Sequence, residues 1–249
     1  MDVIVLAAGY GTRLYPLTKN KPKALLPVAG RPIIDYTLDV LRGMKDLRDV
    51  YVVCNEKFYP QFLEWRQQKS SGRIEIVNDH SLENDSRLGA IGDLAFCLER
   101  REIDSDVLVF GADNIWQKGL EEFIGFAKKK SPNISIGVYD LGDKSKAVSF
   151  GVVELDSEGR ILSFEEKPEN PKASTIGMCL YYFPSGRLKT LIEEYLSDEE
   201  MPRDAIGFFL KWLSENYSVY GYVFPGRWFD IGSKEAYEEA NAFFKGRQV

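Results

Sequence analysis

Histidine is almost missing from this chain: His80 stands alone in 249 residues. Chemistry that leans on an imidazole base has very little to work with. Cysteine is scarce as well, and Cys54, Cys97 and Cys179 form an odd trio without CxxC spacing. Each sits in or beside an apolar segment, so buried free thiols are expected rather than a metal or redox centre. No apolar run approaches the roughly 18–20 residues that a membrane span requires. The opening MDVIVLAAG carries no basic leader and runs straight into a glycine-rich stretch, so no signal peptide is expected. These absences point to a cytoplasmic protein with no membrane partner. A basic excess is lacking too: the net charge is −6, which argues against nucleic acid as a partner. A small anionic ligand is not excluded, because it needs only a few local cations.

What the chain does have comes at once. Residues Leu6 to Gly30 read LAAGYGTRLYPLTKNKPKALLPVAG, directly after a short buried run. A glycine-rich turn behind a first strand suits phosphate, because exposed N–H groups can cradle an anion. Two common phosphate motifs fail here. The Walker A form needs Gly-Lys before Ser or Thr, and that tripeptide occurs nowhere. The dinucleotide fingerprint could begin at Gly9 and Gly11, but Leu14 occupies its third glycine position and Pro16 interrupts the helix that should follow.

Strand and helix patterns alternate through the first half. Val3–Ala7, Val50–Val53, Ile74–Val77 and Val107–Phe110 read as short buried strands. Ile33–Arg42, Phe58–Gln68, Leu88–Glu99 and Gly119–Lys129 carry helical spacing. Alternation of this kind predicts a mostly parallel sheet with helices on both faces. In the second half ISIGVYDL, FGVVELD, RILSFEE and CLYYF are strand candidates, with a hairpin turn at Asp156–Gly159. Helices return at Arg187–Leu196, Ile206–Glu215 and Lys234–Phe244. No linker or repeat separates the halves. We expect one domain over 1–249 with a mixed sheet, a substrate-binding subregion after about residue 140 and no regulatory domain beyond Val249. The basic run Lys128–Lys130 reads as a solvated helix end.

The remaining pattern, G-x-G-T-R-L followed by Pro16, Thr18, Pro22 and Lys23, resembles the signature of the sugar-1-phosphate nucleotidyltransferases, or nucleotide-sugar pyrophosphorylases. Within them it is most similar to the glucose-1-phosphate thymidylyl- and uridylyltransferases. The resemblance continues through GADN (111–114), FGVVELD (150–156), FEEKPENP (164–171) and WFDIGS (228–233), in order and over nearly the whole chain. It implies a Rossmann-like α/β/α sandwich with a mixed, mostly parallel central sheet, with a nucleotide-binding part at 1–140 and a sugar-phosphate-binding part at 141–249. It implies Mg2+-dependent transfer of a nucleotide from dTTP or UTP to glucose-1-phosphate, with release of pyrophosphate.

By the same resemblance the main chain at Ala8, Gly9, Gly11 and Thr12 holds base and triphosphate, and Gly89 suits close contact with a base. Arg13 offers a planar fork to the leaving pyrophosphate. Lys23 bridges the α-phosphate and the incoming sugar phosphate. Lys167 binds the sugar phosphate, Glu166 accepts from sugar hydroxyls, and the backbone at Gly151 lines the sugar pocket. Asp113 and Asp230 supply carboxylates to Mg2+, which favours one or two carboxylates with phosphate oxygens and water. Relatives often form dimers or tetramers, and Lys234–Phe244 is a candidate contact. Tyr10, Trp116 and Trp228, aromatic neighbours of these blocks, are expected chiefly in the core.

Two features depart from the resemblance. The segment NDHSLENDSRLGAIGDL (78–94) has no Gln to read a pyrimidine edge, leaving Asn78, Asn84 and Arg87 as candidate readers. The segment ASTIGMCLYYF lacks the usual Asn and Thr-Gly pair, so contacts to the acceptor are expected to differ. A cytidylyltransferase for inositol phosphate or phosphocholine is therefore the alternative within the same chemistry. A non-catalytic nucleotide-binding regulatory subunit is the alternative outside it; such proteins usually lose the Arg, Lys or metal Asp, and all are present here.

Overall fold

The computed structural model describes residues 1–69 and 73–245. The domain end expected at Val249 lies outside the described residues. In chain order the elements run β1 (Asp2–Leu6), β2 (Pro27–Val28), β3 (Arg31–Pro32), α1 (Ile33–Leu41), β4 (Val50–Cys54), α2 (Tyr59–Gln67), β5 (Ile74–Asn78), α3 (Gly89–Arg100) and β6 (Val107–Gly111). They continue with β7 (Asn114–Trp116), α4 (Leu120–Lys130), β8 (Ile134–Asp140), β9 (Gly151–Leu155), β10 (Ile161–Glu166) and β11 (Thr175–Phe183). The last are α5 (Arg187–Leu196), α6 (Ile206–Asn216), β12 (Val219–Val223), β13 (Trp228–Asp230) and α7 (Lys234–Phe244). The class is the expected one, α/β with a mixed, mostly parallel sheet and helices.

The elements form two compact units. The opening unit comprises Val3–Leu88, Phe110–Gln117 and Gly226–Val249, and the hairpin unit comprises Met1–Asp2, Gly89–Val109 and Lys118–Pro225. Residues 226–245, grouped by sequence with the sugar-phosphate part, thus pack in the unit that begins at Val3.

In the opening unit β1, β4 and β5 are parallel, with Val3 opposite Val50 and Val50 opposite Ile74. All five residues of β4 are buried. That is why VYVVC is apolar without alternation: a parallel strand covered on both faces has no polar side. The helix α7 starts at Ser233, whose hydroxyl accepts from the Ala236 N–H at 3.2 Å and satisfies one of the free donors of the first turn. Its apolar stripe joins a core cluster of Leu14, Leu26, Val28, Ile33, Tyr36, Ile115, Phe229, Ile231, Ala240 and Phe244. Burying a residue of this size contributes roughly 1.5–3 kcal/mol. The short strands β7 and β13 pair antiparallel over this core, Asp230 opposite Asn114 and Trp228 opposite Trp116.

In the hairpin unit β8 pairs antiparallel with β11 and parallel with β12. The strands β9 and β10 form an antiparallel hairpin, Glu166 opposite Gly151. Its turn falls at Asp156–Gly159 as expected: Gly159 takes φ 82°, and the Asp156 carboxylate accepts from the N–H groups of Glu158 and Arg160. The strand β11 extends further than CLYYF suggests, and β12, β7 and β13 are additions that the sequence patterns do not reveal.

Candidate functional site

The opening stretch leaves β1 as a folded loop whose shape is fixed by its own side chains. Gly11 adopts φ 61°, the left-handed region that favours glycine. The Thr18 hydroxyl, fully buried, donates to the Gly11 carbonyl at 2.7 Å and closes the loop over seven residues. A Cβ at Gly11 would stand 3.1 Å from Thr18 Cγ2, so the glycine lets the loop lie close against the threonine that closes it. The Ala8 carbonyl is held by the buried Asn55 amide at 2.8 Å. Gly9 has open space where a side chain would be. Thr12, Arg13 and Leu14 then make a single helical turn in which only Leu14 points into the core.

Asp113 reaches the same place from the other direction. The Ala112 N–H donates to the Leu6 carbonyl at 3.0 Å, which sets the residues after β6 beside the start of the loop. The Lys23 ammonium donates to Asp113 Oδ2 in a close ion pair. The Asn114 amide donates to the other oxygen, Oδ1, at 2.8 Å. Burial works against the charge on Asp113 most strongly, yet the Lys23 charge and these hydrogen bonds outweigh it and hold the carboxyl below its usual range.

Asp230 completes the group. The Ile231 N–H donates to the Asp113 carbonyl at 2.9 Å, tying the two acidic segments together through the main chain. Burial first, and the nearby Asp113 charge second, push the Asp230 carboxyl up to about 6, against the opposing charges of Lys23 and Arg13. Two carboxylates that repel one another in a partly dry setting fit a divalent cation, which would neutralise both. Among the described residues no group of three or more His, Cys, Asp and Glu could hold a metal. A pair of carboxylates suits an ion that takes its remaining ligands from phosphate and water.

Arg13, Lys23, Asp113 and Asp230 are thus gathered in the opening unit with Ala8, Gly9, Gly11 and Thr12. The other expected residues lie in the hairpin unit. Glu166 Oε1 is 3.3 Å from Lys167 Nζ, and the Glu166 side chain is only 14% exposed. Its carboxylate lies against Gly207 in the first turn of α6, where a Cβ would stand 1.9 Å from Oε2. The helix dipole there favours a negative charge. A Cβ at Gly151 would stand 2.4 Å from Phe164 and 3.2 Å from Glu166 Oε2, so Gly151 keeps room for both side chains. Lys167 takes φ 47° with its N–H bonded to the Phe150 carbonyl at 3.0 Å, a strained turn for a residue with a Cβ.

Gly89 sits at the start of α3 with φ 78°, and a Cβ would stand 2.4 Å from the Arg203 carbonyl oxygen. The next two N–H groups, of Ala90 and Ile91, donate to the carbonyls of Asp204 and Arg203. The close approach that this glycine permits is therefore taken up by the chain's own backbone. Residues 203–207 run from Gly89 to Glu166, linking the two.

The aromatic neighbours are mostly core, as expected. Trp116 is 4% exposed and stacks on Phe110 with centroids 5.2 Å apart. Tyr10 donates from its hydroxyl to the Ser81 carbonyl at 2.9 Å. Trp228 does more: its indole N–H donates to Asn114 Oδ1 at 2.7 Å. Neither Asn114 nor Thr18 was identifiable as a working part from sequence, although both stand inside the quoted blocks. Among the described residues no helix is long and apolar enough to cross a membrane.

Two cations and two carboxylates at the end of a parallel strand, beside a tight glycine loop, are the equipment of an α/β protein that handles phosphate groups. The chain belongs to the nucleotidyl transferase family, whose model matches residues 2–246. It is 29% identical to a bifunctional protein GlmU of Methanocaldococcus jannaschii, over 98% of this chain and 54% of that protein. It is 28% identical to a glucose-1-phosphate adenylyltransferase of Clostridium novyi, over 97% of this chain and 66% of that protein. The chain spans about half to two thirds of the length of these relatives. A solved structure of a candidate glucose-1-phosphate thymidylyltransferase from Bacillus anthracis has the same fold, with a TM-score of 0.85, 21% identity and coverage of 100% of this chain and 97% of that one.

Proposed function

We propose that the chain transfers a nucleotide from a nucleoside triphosphate, dTTP or UTP, to a sugar-1-phosphate, glucose-1-phosphate by preference, releasing pyrophosphate. The observation that carries this reading is the convergence of Lys23 and Arg13 on the Asp113–Asp230 pair beside the Gly9–Thr12 loop. Relatives named for sugar-1-phosphate substrates support the acceptor class. Their names differ in the base, so the pyrimidine rests on the sequence resemblance alone.

The reaction suits a site without a histidine. A phosphate monoester has its second pKa near 6, so its oxygen is already a nucleophile at neutral pH and needs no base. His80 is exposed and lies 3.4 Å from Glu56, engaged at the surface. What remains is to align two phosphates and to balance their charge. The main chain of Gly9, Gly11 and Thr12 approaches the triphosphate. Lys23 exchanges its partner Asp113 for the α-phosphate and the incoming phosphate. Arg13 meets the departing pyrophosphate. Asp113 and Asp230 would hold Mg2+, which neutralises charge on the phosphates when bound. Glu166 and Lys167 are assigned to the sugar and its phosphate.

The test is pyrophosphate release with Mg2+, crossing dTTP, UTP, CTP, GTP and ATP with glucose-1-phosphate, mannose-1-phosphate, inositol phosphate and phosphocholine. A single productive pair, lost in Asp113→Ala, is the expected result. Release only with CTP and a polyol phosphate or phosphocholine favours the cytidylyltransferase alternative. Nucleotide binding with no release across the grid favours the regulatory one.

A further inference from the structure

We infer that Asn114, held by the Trp228 indole, is a positioning residue that aims the Asp113 carboxylate; this rests on the proposed role of Asp113 toward a divalent cation.

Asn114 is 3% exposed, and a buried amide must find partners for both its oxygen and its nitrogen. It stands between the two acidic residues. Its backbone lies opposite Asp230 across the β7–β13 pair, and its side chain bonds Asp113. An amide can turn over and present either atom, and Trp228 removes that choice. An indole N–H only donates, so the atom it meets at 2.7 Å must be the oxygen of Asn114. The NH2 group is thereby turned to Asp113 Oδ1 at 2.8 Å. In the opposite orientation the amide oxygen would face a carboxylate oxygen, and the indole N–H would face an NH2 group. Both contacts would be repulsive.

The two oxygens of Asp113 are consequently unequal. Oδ1 is engaged by a neutral donor with no reason to leave. Oδ2 is paired with Lys23, the group that must move when phosphate arrives. The amide fixes the carboxylate about its side-chain torsions so that Oδ2 remains directed to the site whether its partner is Lys23 or a cation. Hydrogen bonds of this kind to a ligating carboxylate commonly alter metal affinity by about 10–100-fold when removed.

The experiment is Mn2+ binding to the whole chain, by paramagnetic resonance of the free ion, with Mn2+ alone and with Mn2+ plus pyrophosphate. It is run on wild type, Asn114→Ala, Trp228→Phe and the double variant. Trp228→Phe removes the indole N–H while keeping an aromatic side chain at a position that is only half-buried, so it tests the relay with little disturbance of the core. We expect about tenfold weaker Mn2+ binding in Asn114→Ala and a smaller loss in Trp228→Phe. The double variant should be no weaker than Asn114→Ala, because Trp228 acts through Asn114. Folded variants that bind Mn2+ as wild type does, or losses that multiply in the double variant, overturn the positioning role alone. A wild-type chain that binds no Mn2+ under either condition overturns the metal reading and the relay with it.

Discussion

Lys23 and Asp113, 90 residues apart in the chain, form an ion pair across the mouth of the glycine loop, with side chains 21% and 27% exposed. Each is the other's counter-charge before any ligand arrives. Lys23→Met keeps the aliphatic stem and removes the charge. Pyrophosphate release should fall by about 10²–10³, the usual cost of losing one charge-stabilising group. Lys23→Arg should restore little of it, because a planar fork cannot replace a compact ammonium. Steady-state kinetics on both variants check this, and near-normal turnover in Lys23→Met would remove Lys23 from the mechanism.

Asp230 predicts a pH-dependent cost to the fold. Its carboxyl is raised from 3.8 to about 6 by burial and by Asp113. Well below pH 3.8 both folded and unfolded chains keep the proton, and the group costs nothing. Between 3.8 and about 6 the unfolded chain releases it first, so native stability drops as pH rises. Above about 6 the cost is fully present. One pKa unit corresponds to about 1.4 kcal/mol, which caps the effect at about 3 kcal/mol. Asp230→Asn, which has no proton to release, should gain stability relative to wild type between pH 4.5 and 7.5 in metal-free urea melts. A gap between the two proteins that does not change with pH would contradict the assignment.

Gly207 tests the role proposed for Glu166. Gly207→Ala places a methyl group 1.9 Å from Glu166 Oε2 and must displace that carboxylate. The KM for the sugar-1-phosphate should rise about tenfold or more, since small misplacements of a positioning group carry large penalties. The KM for the nucleoside triphosphate should stay near wild type. Equal effects on both substrates would mean that Glu166 does not serve the acceptor.

Thr18→Val removes the hydroxyl that closes the loop on the Gly11 carbonyl while preserving the side chain's shape. Loss of one buried hydrogen bond costs about 1 kcal/mol. We expect that loss in chemical denaturation, together with a weaker KM for the nucleoside triphosphate. Unchanged nucleotide binding would show that the loop holds its shape without Thr18.

Much of the fold was readable because its elements obey simple periods. The helices α5 and α7 end where the sequence pattern ends, and β4 is apolar throughout because it is covered on both faces. The strand β12 was hidden by Gly221, which weakens a strand pattern. The structure explains the glycine: a Cβ there would stand 2.8 Å from both Leu155 and Val138. The strands β7 and β13 have three residues each, too short for any period, and exist only through pairing with one another. The residues gathered in the opening unit came from motif resemblance, and their electrostatics did not. Nothing in GADN or WFDIGS announces that one carboxyl is held low and the other high, since that depends on which charge lies beside each. The supporting roles of Asn114 and Thr18 were illegible for the same reason: their partners are known only once the chain is folded.

The core beneath the site has a consequence for how the protein is born. Leu14 follows Arg13, Leu26 lies just past Lys23, Ile115 just past Asp113, and Phe229 and Ile231 flank Asp230; all five share one apolar floor with Ala240 and Phe244 of α7. On the ribosome the first three segments emerge with a large part of that floor still unmade. Until α7 arrives, Leu14 and Leu26 beneath the loop and its lysine lack the cover of Ala240 and Phe244. The charged cluster therefore cannot settle on its floor until residues 229–244 have left the ribosome, more than 200 residues after its lysine.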